Sequence, residues 1–282
     1  MKFVNFESIK KLIDIAINED IAHGDPSSEV SVKESLKSNF DLILKESGVV
    51  SGIDVAKFVF KKFNSEINFE ALVKDGFCNP KIIAHINGPS RSILSAERTA
   101  LNFIQRMSGV STSTYQYKEL IKDTGVDIVD TRKTVPGWRI LDKYSVLAGG
   151  GKNHRIDLGE MVMIKDNHLN SGNLEEIVSS SRSKFPNLKI EIEVENDIQL
   201  EKALALPIDR IMLDNWEPEN ASVAVKKIRK CTNKIVIEIS GGINKKTIRS
   251  YALCFPDIIS VGSITHSAKA LDISLELVKK NS

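Results

Sequence analysis

The 282 residues carry 39 Lys and Arg against 37 Asp and Glu, with 41% hydrophobic and 27% charged residues. That is ordinary globular material, enough for one large domain or one large and one small. A net charge of +2 gives no basic field of the kind that duplex nucleic acid or an anionic membrane demands, so a small partner is expected. Three widely spaced cysteines, Cys78, Cys231 and Cys254, suggest neither a disulfide framework nor a zinc site.

Residues 1–20 place Glu7, Lys10, Lys11 and Asp14 among apolar residues at helical spacing, which predicts an amphipathic helix and not a signal sequence. No apolar run reaches the roughly eighteen residues of a membrane span, so the cytoplasm is the expected compartment. A polar loop over 23–28 is followed by segments of β character at 39–46, 48–53, 69–73 and 81–88, joined by Gly-containing turns. From 92 to about 124 the apolar residues recur by threes and fours, with Ser95 and Arg98 at the opening of a helix.

Beyond Val126 the pattern becomes a short apolar strand with a polar end, then a helix. Six strands are predicted, at 128–131, 161–165, 189–195, 211–214, 235–240 and 258–262. Helices are predicted at 174–185, 198–206, 218–231 and 245–254, with Pro218 suited to a first turn. This alternation is that of a parallel sheet or barrel. Ile190, Ile192 and Val194 alternate with Glu191, Glu193 and Glu195, whereas a sheet covered on both faces reads continuously apolar. A barrel is therefore favoured, its apolar set on outer helices and its acids facing the mouth; six strands imply incomplete or unusual closure.

The polar residues gather at the predicted strand ends: Arg132, Lys133, Lys165, Glu195, Asp214, Ser240 and Gly262. The stretch 130–168 adds Arg139, Lys143, Lys152, His154 and Arg155 around Gly149, Gly150 and Gly151, which predicts a small polyanionic ligand. Arg forks suit carboxylates and Lys suits phosphate. Glu195 and Asp214 could hold a divalent cation bridged to a polyphosphate, or merely balance the cations. Ser240-Gly241-Gly242 and Val261-Gly262-Ser263 read as a late-strand phosphate grip, with His266 as a further donor.

These residues carry a resemblance. The chain resembles the quinolinate phosphoribosyltransferase family over nearly its whole length, in His23-Gly24-Asp25, Ala96-Glu97-Arg98-Thr99-Ala100-Leu101-Asn102-Phe103, Ser108-Gly109 and Asp130-Thr131-Arg132-Lys133-Thr134. The match continues through Pro136-Gly137, the triple glycine, Asn153-His154-Arg155, Ile164-Lys165-Asp166-Asn167-His168, Glu193-Val194-Glu195, Leu213-Asp214-Asn215, Ser240-Gly241-Gly242, and Val261-Gly262 with Thr265-His266-Ser267. Pro26-Ser27 and Trp138 depart from the family pattern at positions that carry no ligand.

The resemblance implies a small N-terminal α/β sandwich domain (1–110, completed by the tail 268–282) and an irregular seven-stranded, TIM-like α/β barrel (111–267). It also implies a homodimer whose sandwich caps the partner's barrel. The implied reaction joins quinolinate to 5-phosphoribosyl 1-pyrophosphate with magnesium, yielding nicotinate mononucleotide, pyrophosphate and carbon dioxide. Arg132, His154, Arg155 and Lys165, with Arg98 from the neighbouring subunit, would meet the dianionic acceptor. Lys133 would meet pyrophosphate, Glu195 and Asp214 the ribose hydroxyls and magnesium, and Ser240, Gly241, Gly242 and Gly262 the 5-phosphate. Lys133, Glu195 and Asp214 are the expected catalytic set. Alternatives are a paralogue of the same fold acting on another anionic acceptor, as the molybdenum-associated relatives do, and a nonenzymatic anion or RNA binder. The last is disfavoured by the 6% aromatic content.

Overall fold

The computed structural model describes residues 6–169 and 173–279. These fall into two units, the first within 6–115, 135–150 and 267–279, the second within 116–134 and 151–266.

In the first unit, α1 (Phe6–Ile21) buries Ile9 and Ile13, four residues apart, which is the spacing that makes one helix face. Residues 1–5 of the predicted helix lie outside the described residues. Asp25 starts α2 (Pro26–Ser31): its carboxylate accepts from the Ser28 amide at 3.0 Å and the Ser28 and Ser95 hydroxyls at 2.5 and 2.8 Å. Those bonds, from Ser28 above all, hold the Asp25 carboxyl below its usual range. The Asp of the His23-Gly24-Asp25 motif is thus a helix cap.

Strands β1 (Lys37–Leu44) and β2 (Gly48–Val50) precede α3 (Ile53–Phe63), which is followed by β3 (Asn68–Ala71), β4 (Gly76–Cys78) and β5 (Lys81–Pro89). Among the described residues the main sheet is antiparallel, in the order Ile273–Leu277, β1, β5, β3, so the C-terminal strand completes a sheet begun by the N-terminal third. Phe40, Leu42 and Leu44 alternate inward from β1 and meet Val55, Val59 and Phe60 of α3. β2 and β4 form a separate antiparallel pair.

Helix α4 (Ser90–Leu120) begins two residues before the predicted start, so Ser95 and Arg98 sit within it and do not open it. A Cβ at Gly109 would lie 2.2 Å from the Lys269 carbonyl oxygen, which explains the glycine of the Ser108-Gly109 pair as a close backbone approach.

In the second unit the strands are β6 (Asp127–Val129), β7 (Met161–Ile164), β8 (Lys189–Val194), β9 (Arg210–Asp214), β10 (Val236–Ser240) and β11 (Ile258–Ser260). All are parallel, in the order β6-β11-β10-β9-β8-β7, each within two residues of its predicted bounds. A lone parallel bridge from Val129 to Lys152 extends the β6 edge, so a seventh strand is present only as that bridge among the described residues.

An unpredicted helix, α5 (Arg139–Ala148), lies inside the basic stretch and groups with the first unit. Lys143 is buried on it, and Gly149 and Gly150 terminate it, Gly150 with φ +84. The triple glycine is a helix ending, and Arg139 and Lys143 belong to α5 and not to a cationic loop.

After β7 come α6 (Asp166–Leu169) and α7 (Leu174–Lys184); α8 (Asp197–Leu204) and α9 (Pro218–Cys231) follow β8 and β9, with Pro218 at the first turn as predicted. A five-residue α10 (Ile248–Ala252) stands where 245–254 was expected, because Asn244 and Thr247 first spend their hydrogen bonds on a turn. A last short helix, α11 (Ser263–His266), follows β11.

Candidate active site

The C-terminal ends of the six parallel strands surround a cavity of about 390 Å³. Arg132 and Lys133 enter it from the loop after β6, Lys165 from the end of β7, Asp214 from β9, and Ser240 from β10. His154 and Arg155 come from the segment between Lys152 and β7. Seven of the residues singled out in the sequence therefore share one pocket.

Arg132 and Arg155 are held ready with no carboxylate partner among the described residues. Arg132 Nε is buried with no hydrogen-bond partner, a costly state for a donor unless an anion completes it. Arg155 rests Nη1 on the Met161 carbonyl at 3.2 Å and Nη2 on Met163 Sδ at 3.4 Å. Burial first, and then the nearby Arg132, lower its pKa. Two like charges facing one cavity define a site for a group bearing more than one negative charge. Lys133 is fixed by its backbone: its N–H donates to Thr131 Oγ1 at 3.0 Å, and its carbonyl accepts from Thr265 Oγ1 at 2.7 Å. Its side chain runs beside Gly262, where an added Cβ would lie 3.1 Å from Lys133 Cδ and 3.4 Å from the His266 ring. Gly262 and His266 thus adjoin Lys133 at the rim without lining the cavity.

The strand ends of β9 and β10 are clamped together. Asn215, in the left-handed region at φ 58, donates Nδ2 to Asp214 Oδ2 at 2.7 Å and its backbone N–H to the Ser240 carbonyl at 3.0 Å. Gly241 has φ +92, and a Cβ there would lie 2.2 Å from Asn215 Oδ1.

The acids differ from expectation. Period-two alternation turns Glu191, Glu193 and Glu195 to one face, and depth along β8 leaves Glu191 fully buried, Glu193 half-buried and Glu195, past its end, exposed. Glu193, ion-paired to Lys165, lines the cavity; Glu195, past the strand end, does not. Gly241 and Gly242 stand outside the lining too, and Arg98 is exposed on α4 in the first unit. Lys152 is spent on Asp127 at 2.5 Å.

Beneath the cavity is a cluster that the sequence reading missed. His154 Nε2 is 3.1 Å from Glu238 Oε2 and 3.2 Å from Glu191 Oε2, and Arg210 Nη1 is 3.1 Å from Glu238 Oε2. On the other side of the ring, Nδ1 accepts the Arg155 backbone N–H at 2.8 Å, and the His154 N–H donates to Asp130 Oδ1 at 2.9 Å. Burial lowers the His154 pKa, but the two carboxylates outweigh it and push it up to about 9. Burial, followed by Glu238, raises Glu191; Glu238 is held low, against its burial, by the hydrogen bond from His154 and the closer Arg210. Glu238 lies two residues before Ser240 on β10 and so shares its inner face, a spacing that could have found it.

His154, Glu191 and Glu238 are the one set of three such ligands, among the described residues, close enough to share a cation. Arg210 already fills that place with its own charge. Glu195 and Asp214 form no closed cage, and only Asp214 faces the cavity. That donor set fits magnesium in its usual mode, with one or two carboxylates and the remaining ligands from substrate phosphates and water.

Parallel strands whose ends present the Arg132 and Arg155 guanidinium groups and the Lys133 ammonium, without carboxylate partners among the described residues, beside an aspartate define an α/β-barrel enzyme of polyanionic substrates. Residues 25–108 and 110–276 match the N-terminal and C-terminal domain models of quinolinate phosphoribosyl transferase, and the chain belongs to that family. It is 36% identical, over 99% of its length and 96% of the relative's, to a probable nicotinate-nucleotide pyrophosphorylase [carboxylating] of Bacillus subtilis. The carboxylating enzyme of Mycobacterium leprae is 34% identical over 96% of this chain and 98% of its own. The solved nicotinate-nucleotide pyrophosphorylase of Francisella tularensis superposes with a TM-score of 0.93 at 36% identity, over 98% of each chain. None of the described helices is long and apolar enough to cross a membrane.

Proposed function

We propose that this enzyme transfers the phosphoribosyl group of 5-phosphoribosyl 1-pyrophosphate to quinolinate and releases pyrophosphate and carbon dioxide, leaving nicotinate mononucleotide. The observation that carries the reading is the unpartnered, buried Arg132 Nε beside Arg155 and Lys165, a place for a doubly carboxylated ring. Lys133 at the rim meets the pyrophosphate. Ser240, with the Gly241, Gly242 and Gly262 turns and His266, seats the 5-phosphate.

The chemistry needs no side-chain nucleophile. The bond from ribose C1′ to pyrophosphate breaks with its electron pair going to the leaving oxygen, and the pyridine nitrogen lone pair forms the new bond to C1′. Asp214, the strand-end acid that faces the cavity, stabilises the positive charge that develops on the ribose and holds its hydroxyls. The bond between the ring and the adjacent carboxylate then breaks. Its electron pair stays on the ring carbon beside the cationic nitrogen and takes up a proton, and carbon dioxide leaves. Magnesium, when bound, would neutralise pyrophosphate, and Asp214 is the cavity residue that would hold it, with substrate oxygens and water completing its shell.

The working enzyme is a cytoplasmic homodimer in which the exposed Arg98 reaches the pocket of a neighbouring copy. Carbon dioxide release from carboxyl-labelled quinolinate tests the assignment. Release that requires 5-phosphoribosyl 1-pyrophosphate is expected, and turnover of nicotinic acid with none of quinolinate would overturn it in favour of a paralogous activity.

A further inference from the structure

The floor of the pocket is charged where barrels are ordinarily packed with Val, Ile and Leu. Strands β8, β9 and β10 turn Glu191, Arg210 and Glu238 to the inside, and both carboxylate side chains are 0% exposed. Replacing a buried ion pair with apolar residues of like volume is often neutral or stabilising, so stability does not account for such a cluster. Its connections do. Glu238 lines the cavity, its Oε2 lies 3.1 Å from His154 Nε2, and the far side of the same ring takes the Arg155 backbone N–H. Arg155 then extends into the cavity over Met163.

We propose that Glu191, Glu238 and Arg210 are positioning residues: they hold the His154 ring by its Nε2 edge, so that its Nδ1 edge stays against the Arg155 backbone and the Arg155 guanidinium is aimed at the anionic acceptor. Arg210 balances the carboxylates in place of a metal ion. The proposal rests on the phosphoribosyl-transfer reading for its kinetic consequence, but not for its spectroscopic one.

The charged groups facing His154 are Glu191 from β8, Arg210 from β9 and Glu238 from β10, with Asp130 on its backbone N–H. The double variant Arg210→Met with Glu238→Leu removes one charge of each sign and keeps the volume. Glu238→Gln is the second variant, should the first fail to fold. Imidazole nitrogen resonances, assigned among the 5 histidines through His154→Gln, report the ring directly. In either folded variant the His154 ring is expected to titrate lower, toward the ordinary value of about 6.5. The KM for quinolinate is expected to rise about 10-fold while that for the phosphoribosyl donor stays within about 2-fold. Wild-type resonances with an unchanged quinolinate KM would overturn the proposal. So would an equal rise in both KM values alongside a lowered melting temperature, which is the mark of a purely structural cluster. A wild-type enzyme inactive on quinolinate would remove the functional reading, and the resonances alone would then decide.

Discussion

Raising the pH from 6.5 to 9 should cost this protein about 2 kcal/mol of folding free energy through His154 alone. Its imidazole, buried against Glu191 and Glu238, is pushed up from 6.5 to about 9, so the folded chain binds that proton more tightly than the unfolded one. The stabilisation is complete below the unfolded value and is lost as pH rises through the folded one. At about 1.4 kcal/mol per pH unit the shift amounts to roughly 3 kcal/mol. Because the unfolded ring is half-protonated at pH 6.5 and the folded ring at pH 9, about 2 kcal/mol of that falls inside the window. Glu191, raised by burial and by Glu238, acts in the same direction at the acid end. Tyr144, raised by burial and by its bond to Asp75, confines the useful window to below about pH 9.5. Urea unfolding of wild type and His154→Gln across that window measures the difference. A wild-type stability that is flat or rises with pH, or a variant that falls just as steeply, would refute the reasoning.

Arg132→Ala removes the half-buried guanidinium whose buried Nε has no partner, and should weaken quinolinate binding by about 3 kcal/mol, near 100-fold, with an unchanged melting temperature; calorimetry checks both. Gly241→Ala forces a side chain into φ +92 and against Asn215, and should destabilise by about 2–4 kcal/mol in denaturant unfolding, with weakened phosphoribosyl donor binding. Mixing inactive Arg98→Ala with inactive Arg132→Ala subunits should recover about one quarter of wild-type activity if Arg98 serves a neighbour's pocket, and none if it serves its own chain. Asp142→Asn on α5 strips charge from a pair whose two carboxylate oxygens each meet Arg106 Nη2 at 3.0 Å, and should lower stability by about 2–4 kcal/mol in thermal unfolding.

Strands β6 to β11 were legible because each is a short apolar run with a polar end, and the cations at those ends converge on one cavity. Helix α5 was not, because Arg139, Asp142 and Lys143 made its segment read as a charged loop. Burying Lys143 and pairing Asp142 with Arg106 are tertiary events, with no local signature. The triple glycine misled for a related reason: its composition suits an anion-binding turn equally well, and only contacts show that a Cβ at Gly149 would lie 2.3 Å from the Ser111 carbonyl oxygen. The acids were half legible. Alternation correctly turned Glu191, Glu193 and Glu195 to one face, but depth along the strand decides which acid reaches a ligand, and here Glu193 stands in the lining while Glu195 is past it.

Two kinds of positive charge emerge in the second unit, and on the proposed function their difference gives the pocket its selectivity. Arg210 and His154 are matched inside by Glu191 and Glu238, and Lys165 is matched by Glu193. Arg132, Lys133 and Arg155 face the cavity with no such carboxylate pairing among the described residues. A neutral ligand would leave the buried Arg132 Nε without an acceptor and all three charges unmatched, whereas one with two carboxylates beside a pyrophosphate satisfies them. Lys165 can join only by exchanging Glu193 for a ligand carboxylate, so an acceptor with one acidic group gains less than one with two. The matched floor keeps this arrangement rigid before any substrate arrives, because the residues that hold the guanidinium of Arg155 in place are not the ones that must let go when the ligand binds.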